Sequence, residues 1–310
     1  MTLTNCTVTG GDAGYTVKAT GQRAPGVSGG TPVTEYLAAG FVARSNSAEL
    51  NNCHADQLLT VQAASTGGYA GGFLAVSRVG GLAQAGADGA FSEQDKNLIS
   101  GLVSVDGLLT AIQYLIPTYT NCTVTYADAD KADTVNVSAD VAGGFAADFQ
   151  SGTVDNRNYT LDGKSSPYAV YNVSWITGQT YSGGFGGKVY SGALADAGGG
   201  ISILGDAGLQ LGSVEDLLHV MEAYVPVVKG AGVQSGNLGL MVSAISLSDE
   251  TDDANAGSAG GFAGYASGAQ ISGCDVQSLR HTTVQEPVDP EGTDASSFFD
   301  PEKSTYAVAG

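Results

Sequence analysis

Short apolar segments with alternating side chains run along the whole chain, divided by glycine-rich bends. The clearest stretch is 259–276, where two short strands flank the turn Ser267-Gly268 and the second strand reads Ile271-Ser272-Gly273-Cys274-Asp275-Val276. A second copy covers 39–55 and contains Leu50-Asn51-Asn52-Cys53; weaker copies run from Phe145 to Val154 and from Phe185 to Leu194. Each opens on Ala-Gly-Phe or Gly-Gly-Phe, a phrase that occurs five times and places Phe41, Phe73, Phe145, Phe185 and Phe262 at equivalent positions. A Gly follows about seven residues after the Phe, except after Phe41, where Ser47-Ala48 stands instead. Self-similarity of this kind marks one small unit stacked on the next. The pattern predicts an all-β chain, a parallel β-helix or solenoid with a right-handed coil, in which the Phe side chains form a row and Gly supplies bends with φ > 0. A β-sandwich with Gly-rich turns is the alternative architecture.

A second periodicity overlays the first. Residues 104–117 align with 213–226 at an offset of 109 residues. In both, apolar residues step by four, three and four: Val105, Leu109, Ile112 and Ile116, then Val214, Leu218, Met221 and Val225. That is one face of a helix, with Ser as N-cap and Pro as its stop. The expected organisation is one continuous solenoid of three modules, 1–117, 118–228 and 229–310, with short amphipathic helices as insertions. Thr4-Asn5-Cys6-Thr7-Val8-Thr9 recurs as Thr120-Asn121-Cys122-Thr123-Val124-Thr125, and Val308-Ala309-Gly310 repeats Val141-Ala142-Gly143. Both ends are therefore expected to lie inside repeats of a longer array, with any export signal or anchor outside this stretch. The acidic, Pro- and Ser-containing segments 248–258 and 284–301 read as exposed loops.

Charge narrows the partners. Lys plus Arg total 12 against 31 Asp plus Glu, a net charge of -19. Phosphate backbones and anionic membrane surfaces need clustered basic residues, so nucleic acid is excluded as a partner and no membrane attachment is expected. The sequence has no apolar run long enough to span a membrane. Its acidic, Lys-poor, Gly-rich composition fits an extracellular or cell-surface protein.

Candidate chemistry is sparse. Cys6, Cys53 and Cys122 each follow Asn, and Cys274 follows Gly273. Without a Cys-x-x-Cys pair, zinc and redox motifs are missing. The four are expected to be small apolar core residues at equivalent repeat positions, and their wide sequence separation does not require adjacent coils; a disulfide is the other possibility. His54, His219 and His281 stand in no nucleophile or metal pattern. Asp128, Asp130 and Asp133 form one acidic cluster, and Asp249, Glu250, Asp252 and Asp253 another. Both read as solvated loops. Calcium is the sharpest alternative for them, since hard cations take loop carboxylates, and no other cofactor is expected. Thr7, Thr9, Thr123 and Thr125 are expected to face outward by ordinary strand propensity.

Residues 259–276 resemble the GLUG-type glycine-rich repeat of large bacterial surface proteins, in which Gly-Gly-aliphatic-Val-Gly precedes a Ser-Gly turn and an Ile-x-x-Cys-x-Val strand. Phe stands here where that repeat has Leu. The resemblance implies a parallel β-helical stalk or passenger of an adhesin-like protein, and no catalytic residue carries over from it. The function expected is structural and adhesive, non-catalytic, toward a glycan or protein of a host or neighbouring cell surface. Two alternatives stand beside it. A carbohydrate-binding module would use tyrosine platforms such as Tyr15, Tyr36, Tyr159, Tyr171 or Trp175. A polysaccharide-active β-helix enzyme would need a groove lined by Asp with Arg or Lys.

Overall fold

The computed structural model describes residues 2–20, 35–79, 116–127, 135–191, 225–237, 239–245 and 257–285. These form an all-β wall of parallel sheets, nearly closed into a barrel-like cross-section. The first sheet has six strands in the order Thr2–Thr4, Glu49–Asn51, Thr118–Thr120, Thr153–Asp155, Val227–Lys229 and Gln270–Ser272. The second is a large sheet that includes His54–Ala63, Val137–Gly143 and Trp175–Gly183. The third holds Val42–Asn46, Leu74–Arg78, Ala146–Phe149, Gly186–Tyr190 and Ala263–Ser267. Every ladder in these three sheets is parallel, so the chain crosses the first, second and third sheets in turn and then rejoins the first beside its previous pass. We call each pass a circuit. The antiparallel pairing of a β-sandwich occurs, among the described residues, only in the small hairpin Thr160–Leu161 with Lys164–Ser165.

Asparagine and glycine set the first corner. After each strand of the first sheet, Asn5, Asn52 and Asn121 adopt φ of 56°, 53° and 53°, and Gly230 and Gly273 take the same place at 56° and 60°. Asn is one of the few side chains that tolerates this left-handed conformation, which explains the recurring Asn-Cys pair. The cysteine that follows turns inward: Cys53 and Cys122 are fully buried. The fourth circuit differs because the hairpin is inserted at this corner. There the buried side chain of Asn156 takes over as a peptide group would. Its Nδ2 donates to the Cys122 carbonyl at 2.8 Å and to the Tyr168 carbonyl at 3.1 Å, while its Oδ1 accepts from the Cys122 N–H at 3.1 Å.

The glycine phrase makes the sharp bend between the second and third sheets. None of its glycines has φ > 0, contrary to the sequence expectation. Space is the reason instead. A Cβ on Gly71 would stand 1.8 Å from the Leu74 carbonyl oxygen of its own bend, and one on Gly72 would stand 2.0 Å from the Gly144 carbonyl oxygen of the next circuit. The first glycine thus lets the chain fold back, and the second lets adjacent circuits touch.

The Phe row forms as expected. Phe41, Phe73, Phe145, Phe185 and Phe262 stack with centroid separations of 4.8, 4.9, 5.2 and 5.0 Å and interplanar angles of 10° or less. Backbone bonds hold this pitch: each Phe N–H donates to the Phe carbonyl of the next circuit at 2.8–3.1 Å. Tyr119 from the first sheet meets Phe73 and Phe145 edge-on at 6.5 Å, and its hydroxyl pairs with Ser77 Oγ at 2.9 Å. Sequence steps of 32, 72, 40 and 77 residues between these Phe all become one step of the stack. Residues 104–115 and 213–224, which carry the predicted helices, lie outside the described residues. Within the described residues the one helical element is the short 3-10 turn Gly11–Ala13.

Phe145 has a ring on both faces and Tyr119 at its edge, whereas Phe41 has one stacked neighbour. Phe145→Ala is expected to cost about 3–5 kcal/mol in denaturant-induced unfolding, and Phe41→Ala less than about half of that. Equal losses at the two positions would contradict the stack as the shared core.

Candidate functional site: a charged and aromatic row on the third sheet

Three residues beyond each Phe, the third sheet brings Arg44, Val76, Asp148, Lys188 and Tyr265 into register across five circuits. Two residues further stand Asn46, Arg78, Gln150, Tyr190 and Ser267. The tight Gly-Gly-Phe bend lays these rows beside Tyr69 and Tyr181 of the second sheet, so that charge and aromatic surface gather from distant parts of the chain. Arg44 pairs with Glu35. Arg78 lies 3.8 Å from both Glu35 and Asp148. Gln150 Nε2 donates to Asp148 Oδ2 at 2.7 Å. Lys188 Nζ sits over the Tyr181 ring, 4.7 Å from its centroid, and 5.5 Å from that of Tyr190. Tyr265 completes the group, edge-on to Tyr181 at 5.8 Å and to Tyr190 at 6.0 Å, with 42% of its surface exposed.

Asp148 is the unusual member. It is 2% exposed, and burial pushes its carboxyl above the usual carboxylate range. Gln150, Lys188 and Arg78 act in the opposite direction, and Glu35 reinforces the rise. Its Oδ1 and Arg78 Nε have no hydrogen-bond partner among the described residues. A half-buried cation flanked by phenol rings, next to an arginine–carboxylate pair, offers flat apolar faces together with directional donors and acceptors. Sugar rings present the complementary combination of C–H faces and hydroxyls.

None of these residues stood out in the sequence, because the row positions lie 32 to 77 residues apart along the chain from one circuit to the next. Aligning the five phrases on their Phe and reading position +3 would have found them. The tyrosines singled out from the sequence serve elsewhere. Tyr15 donates to the Gly40 carbonyl at 3.1 Å, Tyr171 binds Ser166, and Tyr159 packs against Tyr171 at 6.4 Å. Trp175 Nε1 reaches Ser243 Oγ at 3.4 Å. Tyr36 begins the strand Tyr36–Ala39 and is half-buried.

The Thr pairs do not form continuous rows. His54 and Asp56 stand between Thr7 and Thr123 and between Thr9 and Thr125, respectively. Thr123 is buried rather than solvent-exposed: its Oγ1 meets His54 Nδ1 at 2.8 Å and hydrogen-bonds with Tyr159. Burial lowers the His54 pKa. All four cysteines are free thiols. Asp128, Asp130, Asp133, Asp249, Glu250, Asp252, Asp253 and His219 lie outside the described residues. Among the described residues, no group of three His, Cys, Asp or Glu is placed to hold a metal ion, and no helix is long and apolar enough to cross a membrane. No protein family, curated protein or solved structure matches the chain.

Because its native pKa is raised, Asp148 holds its proton more tightly in the folded chain than in the unfolded one. The stability it supports is full below the unfolded value of about 3.9 and falls as pH rises through the native value. Asp148→Asn keeps an acceptor for Gln150 and removes the titration. Its stability-versus-pH curve above about pH 4 is expected to be flatter than that of the parent protein, with the gap in favour of the variant widening as pH rises. Parallel curves in denaturation titrations would refute the assignment.

Proposed function

We propose that the chain is a right-handed parallel β-helix that serves as a structural and adhesive repeat region of an extracellular bacterial surface protein, without catalytic activity. The supporting observation is the five-ring Phe stack, which gives adjacent circuits one fixed pitch and aligns the residues beyond it into a continuous face. Right-handed connections are the rule for parallel strands, which favours that hand. The acidic, Lys-poor composition and the resemblance to GLUG-type repeats favour the surface location. The partner is a glycan of a host or neighbouring cell, held at Lys188, Tyr181, Tyr190 and Tyr265. No cofactor enters this reading.

A glycan-array screen followed by titration calorimetry tests it. Saturable binding to one glycan class is expected, and Lys188→Ala and Tyr265→Ala should each weaken it about tenfold, a loss of roughly 1.4 kcal/mol. Binding that ignores both substitutions would remove this face from the function. A second reading, a polysaccharide-active enzyme, draws on the raised carboxyl of Asp148 beside Arg78 and Lys188. Release of reducing ends from a bound polysaccharide, lost in Asp148→Asn, would establish it over the non-catalytic one.

A further inference from the structure

Cys6, Cys53 and Cys122 lie on three consecutive circuits at one register position. Backbone pairing brackets them on both sides: Thr4 with Asn51 and Thr7 with His54 around the first step, Asn51 with Thr120 and His54 with Thr123 around the second. Parallel strands run about 4.8 Å apart, inside the Cα separation of about 4.4–6.8 Å that a disulfide accepts. The sequence separation of these cysteines is thus no obstacle, since each intervening stretch is one circuit. Cys274 has no such neighbour: Ala231 occupies the corresponding place in the fifth circuit and donates its N–H to the Cys274 sulfur at 3.4 Å.

We propose that Cys6 and Cys53 form a thiol–disulfide exchange site for low-molecular-weight disulfides. Cys6 is partly exposed and takes the first step, whereas Cys53 is buried behind it. The Cys6 thiolate attacks one sulfur of the small disulfide, whose S–S bond breaks, and one small thiolate leaves. The Cys53 thiolate then attacks Cys6 Sγ in the mixed disulfide, forms the Cys6–Cys53 bond and expels the second small thiolate. The two leaving thiolates take up the two protons given up by the cysteines, so two protein thiols are oxidised and one disulfide is reduced to two thiols.

The surroundings favour this pair over Cys53 and Cys122. Asn156 pins the Cys122 backbone through both its N–H and its carbonyl, so Cys122 is held in place. The Cys122 thiol donates to the Leu50 and Thr120 carbonyls at 3.5 and 3.4 Å, and its interaction with Cys53 is the largest of the effects that lower the Cys53 pKa to about 6. Burial acts the other way, and the Cys53 thiol donates to the Leu3 and Asn51 carbonyls at 3.6 and 3.5 Å. The cross-link would end on the partly exposed Cys6, where small thiols can reach and reduce it.

The test exposes the whole folded chain to oxidised glutathione, followed by thiol counting and peptide mass spectrometry. Two of the four thiols should disappear, the intact mass should fall by two hydrogens with no glutathione retained, and the cross-link should map to Cys6 and Cys53. Excess reduced glutathione should restore all of the thiols. Cys53→Ala, which copies Ala231 of the fifth circuit, should trap glutathione on Cys6, and Cys274→Ala should behave as the parent. If Cys53→Ala does not fold, Cys6→Ser at the partly exposed position should leave the remaining thiols unreacted. A Cys53–Cys122 cross-link, a lasting glutathione adduct on the parent protein, no thiol loss, or a Cys53→Ala protein that still forms a disulfide would each overturn the proposal.

Discussion

The hydrogen bond from each Phe N–H to the Phe carbonyl one circuit away is the constraint on which the other features depend. It fixes the translation between circuits at the bend where the chain is most tightly folded. The rings then stack because their backbones are already spaced for it, and the stacked rings exclude water from the bonds that space them. Backbone and side chain therefore favour the same geometry, a mutual support expected of a sequence that specifies one structure. Glycine is required beside the Phe for a steric reason, since a Cβ at Gly72 or Gly144 would enter the carbonyl of the next circuit.

Much of this core was legible in the sequence. The five phrases identified the row, and the alternation around them identified short strands. Distance along the chain was a poor guide to distance in space. The cysteines were expected at equivalent repeat positions but were not required to lie on adjacent coils, and the 47 residues from Cys6 to Cys53 and 69 from Cys53 to Cys122 each amount to one circuit. The acidic candidates were sought as local clusters, whereas Asp148 meets Arg78 and Lys188 only through sheet register. The conformation of the phrase glycines was also misjudged, since close packing and a left-handed backbone leave the same residue in a sequence.

Buried asparagines show how the wall tolerates interruption. Asn156 closes the corner where the hairpin enters. Asn136, 1% exposed, does similar service, its Oδ1 accepting from the Ser174 and Trp175 N–H groups at 2.8 and 3.1 Å while its Nδ2 donates to the Leu59 carbonyl at 3.3 Å. A buried backbone group without a partner is costly, and a side-chain amide carries the same donor and acceptor as the peptide it replaces. Such positions let extra chain leave and re-enter without breaking the ladder.

The constant pitch of the stack divides the sequence into two kinds of site. Residues at the phrase itself answer to the lattice and can scarcely vary. Those three places beyond it point away from the rings and already hold an arginine, a valine, an aspartate, a lysine and a tyrosine on one scaffold. A lineage that exchanged those five letters would write a new surface at a fixed line spacing, and the fold would not have to be invented again.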